Sequence, residues 1–331
     1  MIITKTPFRL SFFGGGTDYP AHYHEHGGEV LATSINKYCY ISCRVLPPFF
    51  DYKYRISYSK IETTRTIDEI NHPAIRGVLN YLNVTKGLEI HHDGDLPARS
   101  GLGSSSSFTA GLLKAIHAIN GKMISKHDLA MQAIDVEQNV IGEKVGSQDQ
   151  VMAAVGGFNR VVFNVDGSIE IKPVIISSDR KNELNDHLLM FFSGISRNSQ
   201  TITEQKITDI KKRPSNVSVL GEMVHEALSI LISPERDITD FGRLMDEAWK
   251  IKRSISSNIS NETIDTIYNT AKRNGAVGGK LMGAGGGGFM TFFAPPDKHP
   301  DILNALADFV HVPFRFEHEG CTICVYEPNG F

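Results

Sequence analysis

Short apolar runs, alternating or continuous, dominate the first hundred positions. IITKTPFRLSFF (2–13), GEVLATSI (28–35), KYCYISCRVL (37–46), YKYRISYS (52–59) and GLEIHHDGDL (87–96) each carry the β-branched, period-two signature of a strand. The period then lengthens. From Gly101 to about Ile119 the apolar positions follow a helix, and SKHDLAMQAIDVEQNVIG (125–142) predicts a second, with Ser125 as N-cap, Asp128 three residues on and Gly142 as its stop. GGFNRVVFNVDGSIEIKPVII (156–176) predicts a hairpin turning at Asp166-Gly167. The polar stretch SSDRKNELNDH (177–187) predicts a surface crossing between domains. Beyond it the pattern gives strand LLMFFSG, helical segments around 200–212, 216–232, 237–255 and 261–274, a glycine-rich turn into FMTFFA, a last helix over 300–310, and CTICVYE ending the sheet. Strands and helices mix without strict β-α alternation, so the expected class is α+β in two lobes, 1–180 and 181–331.

Composition fits a globular chain. Its 331 residues are 41% hydrophobic and 21% charged, enough for a large core, and the net charge of −3 offers no basic surplus for nucleic acid. No apolar stretch is long enough to cross a bilayer and MIITKTPFRLSFF lacks a secretory pattern, so no membrane partner and a cytoplasmic location are expected. Four cysteines do not make a disulfide framework. Cys39 and Cys43 should share one strand face, whereas Cys321 and Cys324 should point to opposite faces, which disfavours zinc.

Three segments carry candidate chemistry. In GLGSSSSFTAGLLKAI (101–116) a glycine loop opens a helix whose first turn has unpaired N–H groups and partial positive charge, a site suited to phosphate, with serine hydroxyls as donors or metal ligands. A flexible link with a serine cap is the plainer alternative. The Walker pattern is absent, since GAVGGKL (275–281) is one residue short and ends in Leu281. In KLMGAGGGGFMTFF (280–293), Gly283, Gly285 and Gly288 match the dinucleotide spacing, but a strand pattern follows where a helix is required, so close backbone approach is expected instead. In TPFRLSFFGGGTDYP (6–20) a strand arginine, Arg9, calls for an anionic partner, and Asp18 is either a turn residue or a ligand.

Taken in order, these segments and GEKVGSQDQ (142–150) resemble the signature of the GHMP kinases, the family of galactokinase, homoserine kinase and mevalonate kinase, over nearly the whole chain. The resemblance implies an ATP-dependent phosphotransferase with an N-terminal α/β lobe bearing the phosphate loop, a C-terminal ferredoxin-like lobe, and the active site between them. PFRLSFFGGGTDYP, GSQDQ, SGISRNSQ (193–200) and GGKLMGAGGGGF (278–289) are most similar to the subgroup that phosphorylates the anomeric oxygen of a heptose 7-phosphate, ahead of nucleotide activation of the heptose. L-fucokinases share the triple glycine. Galactokinases carry Gly-Glu-His-Thr-Asp-Tyr where this chain has Gly14-Gly15-Gly16-Thr17-Asp18-Tyr19. Losing that Glu and His frees the C6 end of the sugar for an added carbon and phosphate, which a carboxylate there would repel.

By the same resemblance, Asp149 accepts or orients the proton of the attacking hydroxyl, and Arg9 stabilises the transferring phosphoryl charge and helps keep Asp149 ionised. ATP is expected on Pro97, Ser100, Gly101, Leu102, Gly103, Ser104, Ser105, Ser106 and Ser107, and the sugar phosphate on Gly15, Gly16, Thr17, Asp18 and Arg197. Gly283, Gly285, Gly286 and Gly287 form the C-terminal glycine motif. Mg²⁺ is expected on Ser105 and Glu137, with Ser104 and Ser106 as competitors. Lys5, Arg55, Arg99, Arg197 and Lys280 all remain candidates for a terminal phosphate, and HYHEH (22–26) reads as loop histidines near substrate. A non-catalytic sugar and nucleotide sensor on the same fold is the alternative from another class.

Overall fold

The structure is a computed structural model that describes residues 1–195 and 214–328. Its larger sheet grows from β1 (Ile2–Phe13) and β2 (Gly28–Val45), with β3 (Tyr54–Ser57), β4 (Ile61–Thr64), β5 (Leu88–Gly94), β6 (Phe158–Phe163) and β7 (Ile169–Pro173) completing the N-terminal lobe. The pattern at 28–46 predicted two strands. It is one bent strand, because Pro7 pairs with Tyr38 while Phe8 pairs with Ile35, so Asn36 and Lys37 form a bulge opposite a proline that cannot donate to the ladder. The hairpin forms at the expected place, but its loop is longer than a two-residue turn: Asn164 N donates to Ser168 O and Gly167 N to Asn164 O, both at 2.9 Å, with Gly167 at φ 87°.

Helices α1 (Pro20–His26), α2 (Pro73–Tyr81), α3 (Ser104–Ile119), α4 (Lys126–Asp135) and α5 (Gln148–Val155) complete this lobe. Ser125 caps α4 by accepting from Asp128 N, and the helix continues as a π-turn over Val136–Val140 before Gly142 stops it at φ 78°. HYHEH is helix rather than loop: Pro20 at its first turn presets the helical φ.

The C-terminal lobe begins with α6 (Ser178–Asp186), inside the stretch read as a surface crossing. Ser177 accepts from Arg180 N, a cap that outweighs the polar composition. Then follow β8 (Leu188–Phe192), α7 (Pro214–Ile232), α8 (Thr239–Ile255), α9 (Glu262–Arg273), β9 (Gly278–Leu281), β10 (Phe289–Phe293), α10 (His299–Ala305) and β11 (Val310–His311). The antiparallel order β11-β8-β10-β9 with these crossovers is the split βαβ arrangement of a ferredoxin-like lobe. The helix expected around 200–212 lies outside the described residues.

The lobes are not divided by a single crossing. After β11 the chain returns, and β12 (Phe316–Glu317) and β13 (Thr322–Tyr326) pair with β2 and β1, so residues placed by sequence in the second lobe finish the sheet of the first. β1 alternates in burial at its start and is buried on both faces from Thr6 onward. There Phe12 and Phe13 meet Phe241 of α8 edge-on, with ring centroids 5.3 and 5.1 Å apart. That contact seats the second lobe on the strand end that opens into Gly14-Gly15-Gly16.

Candidate active site

The loop 97–103 ends at Gly103, whose left-handed φ of 78° lets the backbone turn into α3, and no side chain among the described residues caps that helix. Its first-turn N–H groups thus keep the capacity to bind an anion. Arg99, also left-handed at φ 59°, donates its N–H to Ser104 Oγ at 3.1 Å, and Ser107 Oγ donates to Pro7 O at 2.9 Å. Leu102 is fully buried, and Ser100 is buried with its hydroxyl lacking a partner among the described residues.

Directly beneath the loop lies a carboxylate clamp. Arg9 Nε and Nη2 donate to Asp149 Oδ1 and Oδ2 at 2.8 and 2.7 Å, while Nη1 donates to Gly101 O at 2.7 Å. The bidentate fork fixes the plane of the Asp149 carboxylate. Arg9 is 5% exposed at its side chain and Asp149 27%, so the acid presents the open side of the pair. A Cβ at Gly103 would stand 3.3 Å from Arg9 Cγ and 3.5 Å from the Asp149 carboxylate, which brings the phosphate loop against the pair. Asp149 belongs to the first turn of α5, two residues past the cap position at Ser147.

Asp18 is 2% exposed. Its Oδ1 accepts from Gly16 N and its Oδ2 from Gln148 Nε2, both at 2.9 Å, and Ser147 N donates to its main-chain carbonyl at 2.9 Å. Thr17 is turned to structure: its hydroxyl donates to Gly14 O at 2.8 Å and accepts from Glu29 N at 3.0 Å. Gly15 and Gly16 leave their side of this loop without side chains.

Glu137 sits on the π-turn, an irregularity that often marks functional sites. It is fully buried, and burial first, then the nearby Glu143, pushes its carboxyl up to about 8. Oε2 accepts from Ser106 Oγ at 2.9 Å and from Gln150 Nε2, whereas Oε1 has no partner among the described residues. The sequence reading paired Glu137 with Ser105. The structure brings Ser106 to it, because at about 100° per residue Ser106 and Thr109 share the inward face of α3, and Ser105 is exposed. A buried carboxylate oxygen without a donor, beside serine hydroxyls, suits a hard divalent cation.

Gly283, Gly285, Gly286 and Gly287 turn between β9 and β10, and the strand that follows excludes a dinucleotide helix. This turn packs on the phosphate loop. A Cβ at Gly283 would lie 2.5 Å from Gly101 Cα, one at Gly288 would lie 2.2 Å from Ser100 O, and Phe289 N donates to Ser100 O at 3.2 Å. Lys252 Nζ holds the turn by donating to Leu281 O and Gly283 O at 2.8 and 2.7 Å. Lys280, a candidate for terminal phosphate, is buried and donates to Ser11 O and Phe12 O at 2.9 and 2.7 Å, which anchors the strand end before the triple glycine. Among the other candidates Lys5 lies over the Tyr38 ring, 3.9 Å from its centroid, Arg55 pairs with Glu89 at 3.2 Å, and Arg197 lies outside the described residues. Sequence reasoning missed Gln148, Gln150 and Lys252, because a lone amide or ammonium carries no pattern until the fold gives it a partner.

The histidines of α1 do not converge. His22 and His26 lie one turn apart with ring centroids at 5.0 Å, while His24 faces Val165 O. Cys321, just before β13, is buried and Cys324 on β13 is exposed, and no group of three or more His, Cys, Asp or Glu that could hold a metal occurs among the described residues. No helix among the described residues is long and apolar enough to cross a membrane.

Comparison with known proteins identifies the family. Residues 69–157 match the GHMP kinases N terminal domain and 225–312 the GHMP kinases C terminal domain. The chain is 30% identical over 319 residues to D-glycero-alpha-D-manno-heptose 7-phosphate kinase of Campylobacter jejuni, covering 92% of this chain and 93% of that one. It is 25% identical to L-fucokinase/L-fucose-1-P guanylyltransferase of Bacteroides fragilis, over 88% of this chain and 34% of that longer one. The crystal structure of a D-glycero-D-manno-heptose 1-phosphate kinase from Bacteroides thetaiotaomicron shares the fold, with a TM-score of 0.79 at 22% identity over 99% of this chain and 100% of that one.

Proposed function

Because the chain belongs to the GHMP kinases and is an ATP-dependent phosphotransferase, we propose that it phosphorylates the anomeric hydroxyl of D-glycero-α-D-manno-heptose 7-phosphate, giving the 1,7-bisphosphate and ADP. The observation that carries the reading is the placement of the Arg9–Asp149 pair directly under an uncapped helix N-terminus. An acceptor hydroxyl at Asp149 would meet a γ-phosphoryl group held at the first turn of α3. The new bond forms between the C1 oxygen and the γ-phosphorus, the bond to the β–γ bridging oxygen breaks, and the hydroxyl proton passes to Asp149. Arg9 holds that carboxylate in plane and adds positive charge beside the transferring group.

Asp18 holds a sugar hydroxyl through lone pairs its two donors leave free, and Gly15 and Gly16 leave room at the far end of the sugar. Glu137 and the first-turn serines, Ser105 on the exposed side and Ser106 against the carboxylate, would hold Mg²⁺. When bound, the ion neutralises charge on the β- and γ-phosphates.

The 30% identity to the Campylobacter enzyme supports the heptose, and the triple glycine shared with L-fucokinases keeps L-fucose as the second reading. The test is turnover of ATP with heptose 7-phosphate, unphosphorylated heptose and L-fucose, with the product's C1 phosphate read by phosphorus NMR. Strong preference for the 7-phosphate is expected. Equal turnover with and without the terminal phosphate overturns the heptose assignment, and no ADP release with any sugar leaves a sensor.

A further inference from the structure

The first turn of α5 does more than carry Asp149. Consecutive helical residues point about 100° apart, and here Gln148 reaches Asp18 while Asp149 reaches Arg9. We propose that Gln148 is the positioning residue for the sugar: its carboxamide ties the acceptor-binding carboxylate of Asp18 to the helix that carries the base.

Four observations support this. Gln148 is 7% exposed, and its Nε2 donates to Asp18 Oδ2 at 2.9 Å, while its Oε1 has no partner among the described residues. A buried glutamine that leaves its acceptor unpaired is costly as packing, so the donor to Asp18 is what the position provides. The residue before the turn must be small there: a Cβ at Gly146 would stand 1.9 Å from Asp18 Oδ2, so the carboxylate is pressed against the backbone that leads into α5. The turn is itself fixed. Gln138 Nε2 donates to Val145 O at 3.1 Å and to Ser147 Oγ at 3.0 Å, and Ser147 N donates to Asp18 O at 2.9 Å. Finally, the loop that carries Asp18 is rich in glycine, with Gly14 and Gly16 at φ 80° and 118°, and among the described residues Gly16 N is the other donor to this carboxylate. Without Gln148, the Asp18 carboxylate would keep only the Gly16 N–H, and α5 would hold the residue by its main chain alone, through Ser147 N.

This inference rests on the reading of Asp18 as a sugar ligand. Its test compares wild type with Gln148→Met, which keeps volume and removes the donor, and with Gln148→Glu, which sets like charges together. Gln148→Met is expected to raise the KM for sugar about tenfold while the KM for ATP stays within twofold and kcat falls less than fivefold. Gln148→Glu is expected to raise the sugar KM about a hundredfold, again with the KM for ATP within twofold. Parallel losses in both KM values and kcat, or an unchanged sugar KM in Gln148→Met, would make Gln148 a packing residue and overturn the proposal. Failure of wild type to phosphorylate any sugar instead removes the functional reading, and the proposal with it.

Discussion

The contact between Gly283 and Gly101 joins the two lobes at the nucleotide loop, and Gly283→Ala tests whether that contact sets the loop's position. Gly283 has φ 72°, and the added Cβ would lie 2.5 Å from Gly101 Cα and 3.0 Å from its carbonyl oxygen. Left-handed backbone costs an alanine about 1–2 kcal/mol, and overpacking against an unyielding neighbour about 1–3 more. A total of about 3 kcal/mol, at roughly 2.1 cal/mol/K per residue over 331 residues, lowers Tm by about 4 °C. Gly121→Ala is the control, since Gly121 is also left-handed at φ 66° but has nothing within 4 Å of an added Cβ. It should lose only the backbone part, about 2 °C. Because the backbone of Gly101 has to give way, Gly283→Ala should also raise the KM for ATP at least tenfold, and Gly121→Ala should leave it unchanged. Differential scanning calorimetry and steady-state kinetics decide it. Equal Tm losses in the two variants, with ATP affinity intact in both, would refute a positioning role for the contact.

Asp149→Asn should keep the fold and reduce kcat by about 10²–10⁴. A loss under tenfold would remove Asp149 as proton acceptor. Glu137→Gln should abolish the Mg²⁺-dependent rise in Tm measured with an ATP analogue at pH 7 with little change in the stability of the metal-free protein, since burial already favours the neutral carboxyl there; a full Mg²⁺ response would exclude Glu137 as a ligand. His72 packs on Phe108 and edge-on to Tyr58, and burial lowers its imidazole to about 4 from 6.5. Between those values the unfolded chain takes a proton that the folded one refuses. Its contribution is therefore complete above pH 6.5 and lost as pH falls toward 4, up to about 3 kcal/mol. Urea unfolding of wild type and His72→Gln at pH 7.5 and 4.5 checks this: the variant should show the smaller drop, and identical drops would contradict it.

The pattern along the chain is enough for elements that answer to local rules. β1 is legible because its β-branched and aromatic positions alternate with polar ones, α4 because Ser125 and Gly142 mark its ends, and the turn after Phe163 because Asp166-Gly167 is turn chemistry. The identities of Arg9, Asp18, Glu137 and Asp149 were equally open to reading from motif order. What misled was composition taken alone: Ser177 and Pro20 start helices in stretches that looked like loops, because a cap or a preset φ outweighs polarity.

Order along the chain thus determined the two-lobed class and the residues to inspect, since periodicity, caps and glycine placement act over a few neighbours. Tertiary structure alone decided which of them meet. Arg9 and Asp149 lie 140 positions apart, Gln148 and Asp18 130, and Ser106 and Glu137 31, and each pair is joined by hydrogen bonds whose partners no local signal specifies. The return of β12 and β13 to the first sheet and the hydrogen bond of Ser106 to Glu137 have the same origin: strand pairing and helix rotation are settled by what the whole core buries.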